Sequence, residues 1–507
     1  MQIIHDILLI LPFLIPLLAA LLCAGLKDDF GKQRLLSIVA ATLVLGVSGF
    51  IFYLTTAKEQ ILVLPIGSWV PGVGIVWVAD ALSGLFLFLA ALIFLMTFVI
   101  SPLGVDSAER RYFLPLLHLL MVGINGAFLT GDLFNLFVFF EVLLVASFVL
   151  ISQGEPLVRV KKALPYVIMN LVASATFLLA VGIMYAVTGT VTLAELGQMI
   201  SNGPMSGSFW LAASLIVVVF CTKAGLVPWH YWLPDSYPQS SIPVNALFAG
   251  LLTKVGIYAL YRFVPLLNRA GPSPLNDSLL VIAALTMTIG VIGALGRSQL
   301  REILSFHIIS QVGYMVFGLG LGTKLAMAAG LFYILHHIVV KSALFMAVGI
   351  VELRAGSGKL GVAQGVLRLD PAAAGIFLVL AMALAGLPPL SGFWAKLFLI
   401  AAGFESEAWI TTAVAIVVGL LTLASMLKIW NASYWGNAAE SSWKSVPKVH
   451  RLHGAALSLA ALSLATGLLA IPLFKVFGQH ASHLITGDSY ISAVMELNRT
   501  DLKGAAP

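Results

Sequence analysis

The sequence predicts an all-α polytopic membrane protein with about 14 transmembrane helices, and three observations carry that prediction. Of its 507 residues, 60% are hydrophobic and only 10% are charged, against about 25% charged in a soluble domain. The apolar residues fall in continuous runs of about 20, the length that crosses a hydrocarbon core. These runs lack the alternation of lipid-facing strands, so helices are the spanning form that satisfies the backbone. A soluble enzyme, a disordered chain and a coiled coil are excluded by the same composition.

In chain order the spans begin near Ile4, Leu35, Ile75, Tyr112, Leu133, Leu164, Phe209, Ile242, Ser278, Glu302, Leu325, Ala372, Trp409 and Ala455, with the third and twelfth the longest. The run over 7–26 has neither the basic lead nor the small-residue cleavage site of a signal peptide and reads as the first span. Cys23 and Cys221 lie inside apolar segments without C-x-x-C spacing, which supports neither a disulfide framework nor a thiolate metal site. The net charge of +6 contains no basic run, so no nucleic-acid partner is implied. Odd-numbered loops carry most of the cations, among them Lys27, Lys32, Arg110, Arg111, Lys161, Lys162, Arg354 and Lys444. Even-numbered loops carry Lys58, Arg262, Arg269 and Lys324. The positive-inside rule then makes the odd loops cytoplasmic and places both termini outside. The tail after Phe477 reads as short and polar.

The seventh span reads FCTKAGLVPWHYWLPDSYP and the twelfth ALAGLPPLSGFWAKLFLI. Pro228 in the first, and Pro388 with Pro389 in the second, remove backbone donors at membrane depth, so each helix has to break there. Both breaks carry Ala-Gly-Leu-x-Pro, five spans apart. An odd separation makes the two copies run in opposite directions, and paired broken helices in an inverted repeat are a pointer to a transport site. The plainer reading is that membrane helices use Gly and Pro freely.

Charge at a helix centre costs about 2.5–3.5 kcal/mol even on the lenient insertion scale, so residues kept there need a reason. Glu141, Lys223, Lys254, Lys341 and Lys396 all qualify. Glu141 stands nine residues beyond Asp132, about 14 Å along a helix. Lys428 and Lys475, nearer to span ends, read as snorkelling cations. Dry surroundings disfavour a lysine ammonium and a carboxylate favours it, so a lysine that moves between the two takes up and releases a proton. His307, Gln311 and Tyr314 share one helical face, and His337 with Lys341 form an i, i+4 pair. His336 points about 100° away from His337. For His118 and His307 an interhelical hydrogen bond is the plain alternative. Facing membrane histidines also suit haem, but that reading leaves the lysines unexplained. Arg301 and Glu302 read as a helix-start charge pair, and Gly318, Gly320 and Gly322 as packing positions.

GDLFNLFVFFEVLLVASF, KAGLVPWHYWLPDSYPQSSIPVNALFAGLLTKVGIYALYR, LHHIVVKSALF and AGLPPLSGFWAK together resemble motifs of the antiporter-like subunits. That family is shared by Mrp-type Na+/H+ antiporters, respiratory complex I and membrane-bound hydrogenases. The resemblance covers nearly the whole chain. It implies a proton path through Glu141, Lys223, Lys254 and Lys396. The stretch ending in Phe140-Glu141 is more similar to the D-type branch of Mrp antiporters than to complex I subunits, which typically have Trp-Glu there.

The expected architecture is two inverted five-helix repeats, spans 4–8 and 9–13, with breaks in spans 7 and 12. The segments are 1–110 (three leading helices), 111–265 (first repeat), 277–435 (second repeat) and 436–507 (last helix and outer tail). The resemblance implies a proton-translocating subunit of a multisubunit Na+/H+ antiporter rather than an enzyme. Its bacterial inner-membrane partners would be the other Mrp subunits, A, B, C, E, F and G. It implies no cofactor and no resident metal, with H+ and Na+ as cargo and the lipid bilayer as surroundings. A proton-pumping subunit of a complex I-type oxidoreductase or hydrogenase is the alternative. The full proton path expected is Glu141, Lys223, Lys254, His307, His336, His337, Lys341 and Lys396.

Overall fold

The computed structural model describes residues 2–68, 74–105, 110–152, 156–271, 274–436 and 443–504. Continuous apolar runs form α1 (Gln2–Gly25), which carries Pro12 and Pro16 within it, and α2 (Phe30–Ala57). A two-stranded antiparallel hairpin follows, β1 (Leu62–Pro65) on β2 (Val76–Ala79). The leading segment closes with α3 (Ala81–Ile100), and the first repeat opens with α4 (Arg110–Leu129), α5 (Leu133–Ser152) and α6 (Pro156–Thr188). A surface helix, α7 (Leu193–Asn202), leads to α8 (Gly207–Ala224), the short α9 (Trp232–Ser236) and α10 (Ile242–Leu247), and α11 (Thr253–Leu267). A π-helical turn, Phe248–Leu252, joins α10 to α11. The second repeat has α12 (Pro274–Gly296), α13 (Leu300–Leu321), α14 (Lys324–Ala355), the short α15 (Val366–Leu369), α16 (Pro371–Ala385), α17 (Ser391–Glu405) and α18 (Trp409–Ile429). A second π-helical turn, Trp430–Tyr434, ends α18. The chain closes with α19 (His450–Leu468), α20 (Ala470–Thr486) and α21 (Asp488–Gly504).

Among the described residues twelve helices are long and apolar enough to cross a membrane, and α19 with α20, bent by 78°, forms a thirteenth candidate. The twelfth span of the sequence is two 15-residue halves, α16 and α17, and with it the 14 expected regions are all accounted for. Two expectations are corrected. The third span does not start at Ile75 and is not among the longest: 76–79 pair with 62–65 as a strand, and the helix starts only at Ala81, capped by Asp80 through the Ser83 amide at 3.0 Å. The end of the chain is not a free polar tail: α20 packs on α11 and α14, and α21 lies against α7.

Aspartates start several helices by accepting the amide three residues on: Asp29 for α2, Asp132 for α5 and Asp370 for α16. Burial pushes the Asp132 carboxyl up to about 6, with the Asn135 and Phe134 amides holding it back. The core lies in the spans Ile242–Ala270, Leu300–Leu321 and Lys324–Ala355, whose apolar windows are wholly buried, whereas the first two spans are buried over only 33% of theirs.

Odd loops meet on one face: Gln33 donates to the Arg111 carbonyl, Arg301 to that of Ser240, and the Lys444 amide to that of Arg354. Even loops meet on the other, through Asp80 with Arg262, the Leu133 amide on the Val191 carbonyl, and Arg269 with Asp488 of α21. The two chain ends therefore lie on the same face, the one poorer in Lys and Arg.

Candidate functional site: a file of buried lysines

The two breaks have the same backbone. At Ala224 and Ala385 the helix stops on a left-handed glycine, Gly225 (φ 74°) and Gly386 (φ 96°). The next amide reaches back, Leu226 to the Cys221 carbonyl and Leu387 to that of Met382, which is the usual glycine-terminated helix end. The peptides Val227–Pro228 and Pro388–Pro389 are both cis. Pro228, Pro388 and Pro389 thus sit at the breaks, where the sequence places them.

In the first repeat Lys223 occupies the last turn before the break. Its Nζ donates to Ser174 Oγ at 3.2 Å and to the Asn170 carbonyl at 3.5 Å, and lies 5.6 Å from the Phe140 ring centre. Ser174 in turn donates to Glu141, so a single hydroxyl bridges the carboxylate and the ammonium. Glu141 stands mid-helix as expected but is only half-buried. It lies at the edge of the outward stripe of α5 that holds exposed Phe134, Val138 and Val145. Helix spacing from Asp132 gives its depth but not this sideways placement.

Lys254 is wholly buried one residue into α11, and its Nζ donates to the Ala249 carbonyl at 2.6 Å, inside the π-helical turn. A π-turn frees carbonyls from the regular ladder. Gly250 makes the close contact with α14 possible, since a Cβ there would lie 2.1 Å from Ser342 Oγ. On α14, Lys341 is equally buried and donates to the Leu304 carbonyl at 3.0 Å. His337, one turn before it, is within electrostatic reach of both Lys254 and Lys341 and has no partner on either ring nitrogen. His336 diverges as its spacing predicts, meeting Ser391 Oγ of α17 at 2.8 Å. Ser391 continues to Ser463 at 2.8 Å.

In the second repeat Lys396 lies beyond the break and its ammonium turns back onto it, donating to the Leu384 and Ala385 carbonyls at 3.0 and 2.9 Å. Tyr314 presents its ring 5.3 Å from this Nζ and stacks on Tyr333, whose hydroxyl meets Gln311. His307 and His336 both lie within electrostatic reach of Lys341 and Lys396. Lys254, His307, His336, His337, Lys341 and Lys396 thus form one group linked by short-range charge, and Glu141 with Lys223 a second group joined through Ser174. Between the two groups α8 and α11 pack closely at Gly256, where a Cβ would lie 2.5 Å from the Ala224 amide nitrogen.

Other sequence-derived readings resolve as follows. His118 makes an interhelical bond to Ser37 at 2.9 Å, and His307 one to Ser425 at 2.8 Å. Arg301 and Glu302 do not pair with each other: Arg301 binds Glu352 at 2.5 Å across α14, while Glu302 lies 3.9 Å from Arg297. The partner 51 residues away wins because it is held in place by the neighbouring helix. Lys428 caps the end of α12, donating to the Leu295 and Arg297 carbonyls. Gly318 lets α13 approach α14, with Gly330 Cα 3.2 Å from where its Cβ would stand. Among the described residues no group of three His, Cys, Asp or Glu side chains could hold a metal ion.

The family described as NADH:quinone oxidoreductase/Mrp antiporter, transmembrane, matches residues 130–422, which hold the whole lysine file. The chain belongs to this family. Within it, the chain is 40% identical to the D-type subunit of the Na(+)/H(+) antiporter of Alkalihalophilus pseudofirmus over 96% of this chain and 99% of that one. Its Bacillus subtilis counterpart is 35% identical over the same shares. Among solved structures, a chain of the Mrp complex from Dietzia superposes with a TM-score of 0.89 at 34% identity, covering 97% of this chain and 99% of that one. A chain of respiratory complex I from Thermus thermophilus gives 0.75 at 25% identity, over 92% and 98%. The fold is therefore that of the family's antiporter-like membrane subunits, and the chain is a transporter subunit rather than an enzyme. The assignment gives a haem-binding reading no support.

Proposed function

We propose that this chain is the D-type, proton-translocating subunit of a multisubunit Na+/H+ antiporter. The observation that carries the reading is the set of four buried lysines between half-buried Glu141 and the second break, each ammonium resting on a backbone carbonyl or hydroxyl rather than on a fixed counter-ion. Such sites hold a lysine without locking it, which a relay of coupled groups requires. Protons from the odd-loop face load Lys254, and the state of Lys223 follows from its link to Glu141 through Ser174. Transfer then proceeds by His337, Lys341, His336 and His307 to Lys396. The ranges 111–265 and 277–435 act as the two inverted units of this path.

The relatives' naming as subunits supports assembly with the other Mrp subunits, A, B, C, E, F and G, in the bacterial inner membrane. The richer Lys/Arg content of the odd-loop face supports placing both termini outside. A hard cation prefers several oxygen ligands, and the file is built from nitrogen donors, so the sodium route is assigned to a partner. Flavin and iron-sulfur proteins co-purifying in mild detergent, in place of a larger homologous antiporter subunit, would move the chain to the oxidoreductase branch. A reporter active only in the cytoplasm, fused after residue 507, should stay silent.

The central test is Glu141→Ala in the assembled complex. Sodium-dependent proton exchange in inverted vesicles should fall about 100-fold, the scale of losing a proton-transfer group. Full exchange in that variant would end the relay.

A further inference from the structure

Lys254 also has a second polar neighbourhood, one and two turns further along α11. Tyr258 and Arg262 follow it at i+4 and i+8, all three are buried, and the row covers about 12 Å of helix. The Tyr258 hydroxyl lies 3.0 Å from Ser83 Oγ and donates to the Phe128 carbonyl at 2.6 Å. Arg262 donates to both hydroxyls, at 3.1 and 3.0 Å, and clamps Asp80 at 2.5 and 2.7 Å. Tyr490 of α21 stacks over the guanidinium at 4.9 Å. Beyond this pair lies a cavity of about 100 Å³ on the Lys/Arg-poor face, bounded by Glu59, Asp80, Arg262, His480, His483 and Tyr490. That is several times the roughly 10–15 Å³ that one water needs. His480, only 5% exposed, lines it with its Nε2 unpartnered. A smaller void of about 10 Å³ touches Tyr258 and Arg262 on another side, where its wall is otherwise mostly apolar, from Ala127, Leu133, Leu136 and Phe220.

We infer that this cavity is a proton port joining Lys254 directly to the Lys/Arg-poor face, with His480 exchanging protons with water at its mouth and the Asp80–Arg262 pair closing its floor. The inference rests on the proton-relay reading above. The lysine file uses none of these residues, and the exit at Lys396 stands in the other repeat. Protons cross as a hydroxyl relay: Ser83 and then Tyr258 each accept one proton on oxygen and release another on the far side, so neither ends with a net charge. One helical turn, about 6 Å, separates Tyr258 from Lys254. The lysine, which points toward Ala249 in this state, reaches that gap by swinging. The Asp80–Arg262 pair, held by two hydrogen bonds, stands between the cavity and Lys254, so that the proton passes by hopping over the Ser83 and Tyr258 hydroxyls. The Arg269–Asp488 ion pair at 2.9 Å, with Tyr490, fastens α21 as the roof.

The test uses the full antiporter complex in vesicles, with assembly checked on native gels and with Tyr258→Phe, His480→Gln and Glu141→Ala compared. Tyr258→Phe keeps the ring and loses the hydroxyl, and maximal exchange should fall about tenfold with the half-saturating Na+ concentration unchanged. His480→Gln should keep the maximal rate and shift the half-maximal proton concentration on the Lys/Arg-poor face about threefold or more. A merely structural role would not move that midpoint. Wild-type rate and midpoint in both variants overturn the port, whatever Glu141→Ala does. If Glu141→Ala alone stays active, the relay falls while the two port readouts still decide the port.

Discussion

The two broken helices share one backbone but hold their lysines in opposite ways. At the first break Lys223 sits before the glycine turn and reaches sideways to Ser174, and through it to Glu141. The Thr222 carbonyl at that break accepts both the Gly225 amide, at 3.1 Å, and the indole of Trp232, at 3.2 Å. At the second break Lys396 sits after the turn and fills the freed carbonyls of Leu384 and Ala385 itself, with no carboxylate in its shell. A helix C-terminus is a fixed site of partial negative charge, whereas Glu141 is a group that changes charge. The geometry therefore assigns adjustability to the first lysine and a constant, half-helix counter-charge to the second. An inverted repeat has kept the break and divided the electrostatics.

The largest effect expected from this contrast is at Lys396. Lys396→Met removes the ammonium and leaves two buried carbonyls unpaired, at about 1–3 kcal/mol each. Exchange should fall about 100-fold, and the detergent-solubilised subunit should also melt at a lower temperature. Lys223→Met should lose exchange with less thermal penalty, because its ammonium rests on Ser174 and, at 3.5 Å, on the Asn170 carbonyl rather than on the carbonyls of the break. Equal melting points for the two variants would remove the distinction. A smaller effect belongs to Ser174→Ala, which deletes only the hydroxyl between Glu141 and Lys223. Hydrogen bonds to charged groups are worth about 1.5–3 kcal/mol, so a rate loss of about tenfold is expected, read as initial rates of proton efflux in vesicles. Unchanged rates would mean that Glu141 and Lys223 communicate by another route.

What the sequence made legible follows from which interactions are local. The Ala-Gly-Leu-x-Pro echo, the depth of Lys254 and Lys341, and the divergence of His336 from His337 are set by helical spacing, and they are found as read. The π-helical turn at Phe248–Leu252 left no local sign, although it supplies the carbonyl that holds Lys254. The run from Ile75 is as apolar as a membrane helix, and only pairing with 62–65 makes its first residues a strand. By sequence Arg262 reads as a loop cation, yet its partner Asp80 lies 182 residues away and the pair is buried. The polar tail became a roof because its amphipathic face matches surfaces on α7 and α11. In the strand, the ion pair and the tail the deciding partner lies in another element, and no spacing rule points to it.

The last difference between the repeats is at their starts, and it gives the smallest expected effect. The broken span of the second repeat begins on Asp370, which caps α16 through the Ala373 amide at 3.1 Å. Its other oxygen meets His453 Nε2 at 2.9 Å and Arg354 at 3.4 Å. The broken span of the first repeat begins on Ser206, an uncharged cap at 3.3 Å. Burial alone would raise the Asp370 carboxyl, but the His453 bond, the amide and Arg354 hold it below the usual carboxylate range. A carboxyl lowered in the folded state stabilises fully above its unfolded pKa and ceases to do so as pH falls through the folded one. Acid should therefore loosen the second repeat's broken span while leaving the Ser206 cap unaffected. Asp370→Asn keeps an amide-accepting cap but loses the carboxylate's charged bonds to His453 and Arg354, at about 1.5 kcal/mol, and should flatten the acid limb of the melting temperature below about pH 4. An acid limb as steep in Asp370→Asn as in the parent would assign that loss of stability to other carboxylates.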